Sequence, residues 1–270
     1  MLESGLVQSI PIYVISLKNA HERRDHTSME FARHGLSFEF MDAVDGSTMS
    51  TDEIANAYNM EENAWNFKRA LSSGEIACAL SHRALWKRIA ASEQSLAMVC
   101  EDDVMFLSSP KPFLEPLGAL SETLKDCIIK LDGVAHGGRA LGMMGEWTFI
   151  SSRRPPPRTT GYLIGRTAAR RLLDKLDKKI VRPVDNDIKR YWTHKTSVLT
   201  VKPQLVTERP EADSHLDASR TKCKTASSIY RLYRNLRYQS NMVVYRALND
   251  PEKYQSKAQL VAYSELEGGR

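Results

Sequence analysis

The 270-residue sequence contains no long apolar run, and this absence sets the first limit on what the protein is. No stretch approaches the roughly 18 to 20 apolar residues that a membrane-spanning helix needs. The opening residues, MLESGLVQSI, also lack the basic region and apolar core of a secretory signal peptide. We therefore expect the chain to stay in the cytoplasm.

Cysteine is scarce, and the spacing of the cysteines argues against a small fold held together by zinc or by disulfide bonds. The four cysteines are far apart in the sequence and form no CxxC pair. Neither a zinc site nor a disulfide framework is indicated, so we expect reduced thiols that lie mostly in the core. Internal repeats are also absent, which argues against a repeat-built scaffold.

Acidic residues are absent from one late stretch, which makes the charge uneven along the chain. The net charge is +5, yet residues 219–246 contain no aspartate or glutamate. The rest of the chain is nearly neutral, so the attraction to an anionic partner resides in this stretch. Its basic residues are Arg220, Lys222, Lys224, Arg231, Arg234, Arg237 and Arg246.

What is present has the composition of a folded domain, with 42% hydrophobic and 26% charged residues. Segments of strand and helix character alternate over about 200 residues. The clearest predicted strands are two apolar runs, Ile10 to Leu17 and Leu96 to Cys100. We therefore predict an α/β fold with a mostly parallel central sheet over residues 1–217. Residues 218–270 are predicted to form a basic helical extension.

Three polar signals are expected to begin helices. Asn19 can cap the helix that follows the first strand. Capping boxes pair Ser50 with Glu53 and Ser72 with Glu75, which predicts a short helix and then a longer one.

Three acids end the predicted strand Leu96 to Cys100, at the place where ligands bind in open α/β sheets. In extended geometry Glu101 and Asp103 project to one side and Asp102 to the other, so the first and third can share a ligand. A divalent metal that also contacts substrate phosphates fits this spacing. The alternative is that the acids only interact with the dipole of a following helix.

Two further segments carry candidate chemistry. On a helix, Glu75 and His82 fall on one face and can meet one ligand, although Glu75 can equally do no more than close its capping box. His82 can likewise be an ordinary buried histidine. Asp185 or Asp187 can be a general base for a hydroxyl nucleophile, or either can be a helix N-cap.

Six sequence blocks stand in order between residue 10 and about residue 190. They are IPIYVISLKNAHERR, FEFMDAVDG, SSGEIACALSHRALWKRI, LAMVCEDDV, TTGYLIGRTAARRLL and PVDND. Together they resemble glycosyltransferase family 25, the lipooligosaccharide-biosynthesis group that includes the collagen galactosyltransferases. The resemblance implies a GT-A-type fold, a UDP-sugar donor, a Mn²⁺ or Mg²⁺ ion, inversion at the anomeric carbon and a saccharide acceptor.

The resemblance also implies roles for particular residues of this sequence. Asp103 becomes the best metal ligand, with Glu101 and His215 as further candidates. Asp185 becomes the general base, with Asp187 as its alternative. The residues that are implied to contact substrate are Ser16, Leu17, Asn19, Arg23, Arg24, Asp42, Val44, Asp45, Gly46, Gly74, Glu75, Ser81, His82, Glu101, Asp102 and Tyr162.

The implied activity is transfer of a hexose from a UDP-sugar to the growing core oligosaccharide of a bacterial lipopolysaccharide. The metal would stabilise the leaving diphosphate while Asp185 takes the proton of the acceptor. The glycine-rich stretch 132–146 is expected to be a mobile lid that excludes water. Two other functions stay open: a metal-dependent phosphoesterase that activates water, and a non-catalytic scaffold that binds sugar nucleotides.

Residues 219–246 interleave basic and aromatic side chains. At helical spacing Ile229, Leu232, Tyr233 and Leu236 form an apolar stripe beside arginines, which suits the headgroup region of an anionic membrane. We therefore expect a peripheral position on the cytoplasmic face of the inner membrane, close to a lipid-linked acceptor. The alternative is a solvated helix packed on the domain through the same stripe. Nucleic-acid binding is not expected, since no recognition module accompanies the charge.

Overall fold

The computed structural model describes residues 10–176, 178–210 and 228–255, which form ten strands and nine α-helices. The strands are β1 (Ile12–Ser16), β2 (Glu39–Asp42), β3 (Leu96–Glu101), β4 (Val104–Phe106), β5 (Cys127–Lys130), β6 (Arg139–Met144), β7 (Trp147–Ser151), β8 (Gly161–Gly165), β9 (Ser197–Lys202) and β10 (Val206–Glu208). The helices are α1 (His21–Arg33), α2 (Thr51–Ala57), α3 (Met60–Asn66), α4 (Ser73–Ala91), α5 (Lys111–Ala119), α6 (Arg166–Leu176), α7 (Val184–Ile188), α8 (Tyr191–His194) and α9 (Ser228–Leu248), followed by a short 3-10 helix (Pro251–Tyr254).

Eight strands form one central sheet in the order β2-β1-β3-β8-β5-β9-β7-β6, and β4 pairs with β10 in a small second sheet. The α/β class is confirmed, but the central sheet is mixed. Its parallel pairings are β1 with β2, β1 with β3, and β5 with β9, whereas the other four are antiparallel. The expectation of a mostly parallel sheet is corrected because β8 enters antiparallel between β3 and β5.

The central sheet separates two hydrophobic cores. In β1, Tyr13 and Ile15 belong to the core that contains Trp86 of α4, while Ile12 and Val14 belong to the opposite core. This alternation follows from the two-residue period of a strand. Both faces of β1 and β3 are thus covered, which explains why their sequences read as continuous apolar runs.

The local signals for helix starts are confirmed in two of three places. Side chains and backbone complete both capping boxes, at Ser50 with Glu53 and at Ser72 with Glu75. Asn19 does not cap α1, because the N-cap position is Ala20 and has no side-chain hydrogen bond.

The glycine-rich stretch 132–146 is not a lid. Residues 139–144 form β6, which pairs with β7 through a two-residue turn, and Gly145 supplies the positive φ of 57° that such a turn needs. Strand β6 is the outer edge of the central sheet, four strands beyond β8, and no residue of 132–146 lines either cavity described below. The glycines belong to the β6–β7 hairpin and to the segment that leads into it.

Helix α9 packs on the rest of the protein through one of its faces, and the apolar stripe lies on a different face. Tyr238 and Met242 are buried in the core beside Phe67, and the Arg234 guanidinium donates hydrogen bonds to Asn63 and to the Phe67 carbonyl. The stripe itself is exposed, so the alternative that α9 packs on the domain through this stripe is wrong. The exposed fractions are 82% for Ile229, 58% for Leu232, 55% for Tyr233 and 57% for Leu236.

The predicted boundary between residues 217 and 218 lies outside the described residues. Among the helices of the described ranges, none combines the length and the apolar character that a bilayer crossing requires.

Candidate functional site

The carboxyl ends of β1, β2 and β3 open onto a cavity of about 480 Å³, called here the first cavity. Because β1 pairs in parallel with both β2 and β3, the loops that follow all three strands meet at this edge. The start of α4 closes the opposite side. Of the residues expected to contact substrate or metal, the lining includes Ser16, Leu17, Asn19, Arg23, Val44, Asp45, Gly46, Gly74, Ser81, His82, Glu101, Asp102 and Asp103.

A second cavity of about 660 Å³ adjoins the first. Its walls come from the segment before α4, the connector 157–160, α7 and the later half of α9. Glu75 and Asp185 line it, and Cys78, Glu101 and Asp103 line both cavities. Two ligands bound side by side would therefore meet at these three residues.

Glu101 is held by two hydrogen bonds that end on the same carboxylate oxygen. Thr159 and His82 both contact Oε1, and the His82 Nε2 lies 3.2 Å from it. Burial would raise the pKa of Glu101, but the hydrogen bonds from His82 and Thr159 and the charge of Lys130 lower it overall. Glu101 is therefore ionised near neutral pH.

The contacts of His82 determine which of its ring nitrogens carries the proton. The Trp86 indole N–H can only donate, and it lies 2.8 Å from the Tyr162 hydroxyl oxygen. The Tyr162 O–H therefore donates to His82 Nδ1, at 2.9 Å, and Nε2 carries the hydrogen that is donated to Glu101. This chain of hydrogen bonds orients the Glu101 carboxylate from the core.

Tyr162 is thus a positioning residue and not a substrate contact. It is fully buried and lines neither cavity. Strand β8 places its side chain against α4, where the hydroxyl joins Trp86 to His82. The expectation that Tyr162 contacts substrate is corrected accordingly.

Asp102 and Asp103 differ sharply although they are adjacent. Asp102 is buried, accepts a hydrogen bond from the Ser16 hydroxyl at 2.6 Å and forms an ion pair with Arg23. Asp103 has a buried Oδ1 without a hydrogen-bond partner, and its Oδ2 lies 3.5 Å from Arg23. Burial and the negative charge of Glu101 raise the pKa of Asp103 to about 7, against the opposing charge of Arg23.

The unpartnered oxygen of Asp103 fits a divalent metal. Buried carboxylate oxygens without a partner are costly, and a cation at this place would compensate both Asp103 and Glu101. Carboxylate oxygens are also the ligands that Mg²⁺ and Mn²⁺ prefer. The third metal candidate, His215, lies outside the described residues.

A second group of ligand atoms lies beside these acids. The ligand atoms of Cys78, His82 and Glu101 are all within 4.8 Å of one another. His82 Nε2 already donates to Glu101, and burial with the nearby charge of Glu101 raises the pKa of the Cys78 thiol well above its usual value. A neutral thiol and a donating imidazole fit a hard cation less well than the oxygens of Glu101 and Asp103 do.

Arg24 and Asp42 line neither cavity and instead join β1 to β2. Arg24 forms an ion pair with Asp42 and donates a hydrogen bond to the Ser16 carbonyl at 3.1 Å. Asp42 stands opposite Ser16 in the parallel register. The expectation that these two residues contact substrate is corrected, because their charges are used to hold the strand ends together.

Ser81 and two glycines fix the loop after β2 against α4. The Ser81 hydroxyl accepts a hydrogen bond from the Val44 N–H at 2.9 Å and donates to the Ala77 carbonyl. A Cβ on Gly46 would lie 2.7 Å from Gly74 backbone atoms, closer than real side chains approach. The loop therefore reaches the first cavity only because these backbones touch.

Glu75 has a structural partner in addition to its capping box. Arg69 binds both carboxylate oxygens of Glu75, at 2.6 and 2.7 Å. Glu75 lines the second cavity and His82 the first, so the expectation that they meet one ligand on a shared helix face is not supported by their placement. The capping alternative is confirmed in that Glu75 closes its box, but Glu75 also binds Arg69 and lines the second cavity.

The structure separates the two candidate bases of α7. Asp185 lines the second cavity, where it accepts a hydrogen bond from the Asn186 amide. Asp187 is buried outside both cavities and forms an ion pair with Arg182 at 2.8 Å, while burial raises the pKa of Asp187 against the effect of that charge. Asp187 is thus removed as a candidate base. The N-cap alternative fails for both, since the N-cap residue is Pro183.

Sequence reasoning overlooked two kinds of lining residue. Cys78 was expected to be a core thiol, although it precedes His82 by four residues on α4 and this spacing places both side chains on one face. Basic residues of the second cavity, among them Lys68 and Lys189, also went unnoticed. Lys189 follows Asp185 by four residues, so the same helical spacing was available as a signal.

Comparison with known proteins gives a family match for the first half of the chain. Residues 9–136 match the model described as Glycosyltransferase family 25 (LPS biosynthesis protein). The matched residues contain β1, β2, α4 and β3, which build the first cavity and the acids at its floor.

Several curated proteins are similar to the chain. A "Glycosyltransferase 25 family member" of Aedes aegypti is 30% identical over 66% of this chain and 30% of the relative. The "Lacto-N-neotetraose biosynthesis glycosyltransferase LgtB" of Neisseria meningitidis is 31% identical over 64% of this chain and 65% of the relative. The "Lipooligosaccharide biosynthesis protein lic2B" of Haemophilus influenzae is 35% identical over 42% and 41%. The alignments thus span less than two thirds of each of these relatives.

Proposed function

Since residues 9–136 place the chain in glycosyltransferase family 25, we propose that the protein transfers a hexose from a UDP-sugar to a saccharide acceptor. The acceptor that we propose is the core oligosaccharide of a bacterial lipopolysaccharide or lipooligosaccharide, the class of product named in the family description and for the lic2B protein. The observation that carries the proposal is the pair of adjoining cavities that share Glu101 and Asp103.

We assign the UDP-sugar to the first cavity and the acceptor to the second. The first cavity lies at the carboxyl ends of parallel strands, where nucleotides bind in α/β folds, and Arg23 lies at its acidic floor. The second cavity is lined by Asp185, a carboxylate that is accessible to a bound hydroxyl. The transferred sugar would then sit at the junction of the two cavities.

The proposed reaction is a single inverting displacement. The acceptor oxygen forms a bond to the anomeric carbon, Asp185 takes the hydroxyl proton, and the bond between the anomeric carbon and the phosphate oxygen breaks with its electron pair going to UDP. Glu101 and Asp103 would hold Mn²⁺ or Mg²⁺, which supplies positive charge to the departing diphosphate when bound. The hydrogen bonds from His82 and Thr159 keep the Glu101 carboxylate oriented toward the cavities.

One assay distinguishes the proposed activity from its alternatives. The protein is incubated with Mn²⁺ and a panel of UDP-hexoses, with and without truncated core oligosaccharides, and UDP, sugar phosphate and glycosylated product are followed. Glycosylated product that requires the acceptor supports the proposal. Acceptor-independent release of sugar phosphate would indicate a phosphoesterase, and UDP binding without any turnover would indicate a scaffold.

The metal assignment has its own test in Asp103. The Asp103→Ala variant is expected to remain folded, because the carboxylate is not used in packing, and to lose metal-dependent UDP binding and transfer. Calorimetric titration of UDP with and without Mn²⁺ measures this loss, with Lys175→Ala, at an exposed position of α6, as the control. Unchanged metal-dependent affinity in the Asp103 variant would remove Asp103 from the metal site.

We also propose a cytoplasmic, peripheral position at an anionic membrane surface. Support comes from the exposed apolar stripe of α9, formed by Ile229, Leu232, Tyr233 and Leu236. Such a surface suits an acceptor that is anchored in lipid.

A further inference from the structure

The described lining of the second cavity contains five basic and five acidic side chains, and three of the basic ones form no ion pair within the described ranges. Two of its five cations have acidic partners, since Arg69 binds Glu75 and Arg158 lies 3.7 Å from Glu208. The other three are Lys68, Lys189 and Arg246, and none of them has a side-chain hydrogen bond or ion pair within the described ranges. The Arg246 Nε is buried without a hydrogen-bond partner.

These three cations come from separate segments and approach one another across the cavity. Lys68 precedes α4, Lys189 follows α7 and Arg246 lies near the end of α9. Burial lowers the pKa of Lys189. Among the charges around Lys189, Asp185 has the largest effect and raises that pKa, while Arg246 and Lys68 lower it. An anion bound between the three cations would lessen the repulsion that Arg246 and Lys68 exert on Lys189.

The neighbouring arginines are used differently. Arg182 is paired with Asp187, and the Arg190 guanidinium lies over the Trp192 and Tyr245 rings at 5.6 and 5.7 Å. Neither lines the second cavity. Among the described residues, the basic side chains of the cavity that form no ion pair are therefore Lys68, Lys189 and Arg246.

Lys189 stands one helical turn after the proposed general base. The Lys189 N–H donates to the Asp185 carbonyl at 3.2 Å, and residues four apart on a helical turn face the same side, with Cβ atoms roughly 5 to 6 Å apart. An anionic group held by Lys189 would thus lie about one sugar ring away from a hydroxyl held by Asp185. The same side of the cavity offers both a proton acceptor and an anion site.

We propose that Lys68, Lys189 and Arg246 form a subsite for an oxyanion on the acceptor saccharide. The acceptor then carries a phosphate monoester or a carboxylate close to the hydroxyl that receives the sugar. The inference rests on the proposed function in assigning the second cavity to the acceptor, but the anion site itself does not depend on catalysis. Lys189 and Arg246 act as binding residues, because charge-assisted hydrogen bonds to oxyanions are stronger than those to neutral groups.

The first experiment measures binding without turnover. Inorganic phosphate, glucose 6-phosphate, glucuronate and glucose are titrated by calorimetry into the full-length protein, without UDP-sugar and at fixed low ionic strength. We expect at least one of the two sugar anions to bind more than ~10-fold tighter than glucose, and we expect binding of that anion to weaken at least ~5-fold in Lys189→Gln and in Arg246→Gln. Lys175→Gln, at an exposed position of α6, is the matched control. Because the two altered cations have no acidic partner, the melting temperature is expected to stay the same or rise.

Saturating UDP separates this subsite from a site for the diphosphate of the sugar donor. Binding of the sugar anion is expected to persist when UDP is present. Displacement by UDP would overturn the proposal, since the cations would then belong to the nucleotide site. Equal binding of the sugar anions by wild type, Lys189→Gln and Arg246→Gln would overturn it as well, as would tighter binding of inorganic phosphate alone than of either sugar anion.

The second experiment uses turnover with matched acceptors. The KM of wild type is expected to be at least ~10-fold lower for a phosphorylated or carboxylated core oligosaccharide than for its neutral counterpart. Lys189→Gln should erase that ratio while leaving the KM for the UDP-sugar unchanged. A ratio that persists in Lys189→Gln would contradict the subsite. Retained anion binding without transfer to any acceptor would contradict the proposed function and leave the anion site standing.

Discussion

Three adjacent acids at the end of β3 meet three different environments. Glu101 is oriented from the core by His82, Asp102 is neutralised by Arg23 and Ser16, and Asp103 has a buried oxygen without a partner. The sequence predicts that all three end a buried strand, and strand geometry predicts that alternate side chains diverge. It does not reveal which acid is neutralised, because Arg23 and Ser16 come from segments that are more than 70 residues away.

The raised pKa of Asp103 makes the stability of the folded protein depend on pH. Because burial raises the pKa of this acid to about 7 in the folded state, above its ordinary value of 3.8, the folded protein binds the proton more tightly. Asp103 therefore lowers stability progressively as pH rises from about 4 to about 7. In metal-free buffer, the melting temperature of Asp103→Asn relative to wild type should increase between pH 5 and pH 8. Parallel melting curves across that range would contradict this.

Substituting the two acids of α7 one at a time should affect activity and stability differently. Asp185→Asn is expected to keep UDP affinity and melting temperature while lowering kcat at least ~10²-fold, the low end for loss of a general base. Asp187→Asn leaves the buried Arg182 guanidinium without a charged partner, and should destabilise the fold by about 1 to 3 kcal/mol while sparing kcat.

Steady-state kinetics together with thermal melting test this pair, and each variant is the control for the other. If Asp187→Asn abolishes turnover in a protein that melts like wild type, the base has been assigned to the wrong residue of α7.

At the scale of elements, the sequence predicts what is decided locally. The strands β1 and β3 and the two capping boxes follow from short-range composition, and all of them are present. The direction of β8 is not a local property, since it depends on how the 157–160 connector returns the chain to the sheet. Likewise, five glycines predicted a loop where β6 forms, because pairing with β7 outweighs the weak strand propensity of glycine.

The close approach of the loop after β2 to α4 predicts the effect of a single methyl group. Gly46→Ala would place a Cβ about 2.7 Å from the Gly74 backbone, so the loop must move away from α4. That movement breaks the hydrogen bond from the Val44 N–H to Ser81 and widens the first cavity. We expect UDP affinity to fall at least ~10-fold with a smaller loss of stability, measured by calorimetry and melting.

Gly137→Ala is the matched control for this substitution, since a Cβ there meets no atom within 4 Å and Gly137 lies outside both cavities. Its positive φ of 70° makes some loss of stability expected, but UDP affinity should stay at the wild-type value. Equal losses of affinity in both variants would mean that the contact between the loop after β2 and the start of α4 does not shape the cavity.

At the scale of the whole molecule, α9 has two separate faces that the sequence pattern alone does not distinguish, one that packs in the core and one that is exposed. Its buried face, with Arg234, Tyr238 and Met242, completes the core, and its far end contributes Arg246 to the second cavity. Its exposed stripe extends from Ile229 to Leu236, and the α9 residues that line the second cavity begin two positions later, at Tyr238. A protein resting on a membrane through the stripe would therefore hold the proposed acceptor cavity close to the lipid surface, within reach of a lipid-anchored saccharide.

The packing of α9 also changes how membrane binding is tested. A protein shortened to residue 217 would lose Tyr238 and Met242 from the core, so its behaviour would report unfolding. Point substitutions on the stripe avoid this, because Leu232 and Leu236 are both more than half exposed. Arg234 is no longer counted among the residues that attract a membrane, since its guanidinium is buried against Asn63 and Phe67.

We expect wild type to sediment with anionic liposomes at low salt, and less so at high salt or with neutral liposomes. Each basic residue near an anionic surface contributes roughly 1 kcal/mol at most, and salt screens that attraction. The double variant Leu232→Ser with Leu236→Ser should keep the melting temperature and transfer to a soluble acceptor, but sediment much less. Met29→Ser on α1, which also alters an exposed apolar residue, should sediment like wild type. Equal recovery of wild type and the double variant in the supernatant at low salt would exclude the membrane position, and the assignments of Asp103 and Asp185 would be unaffected.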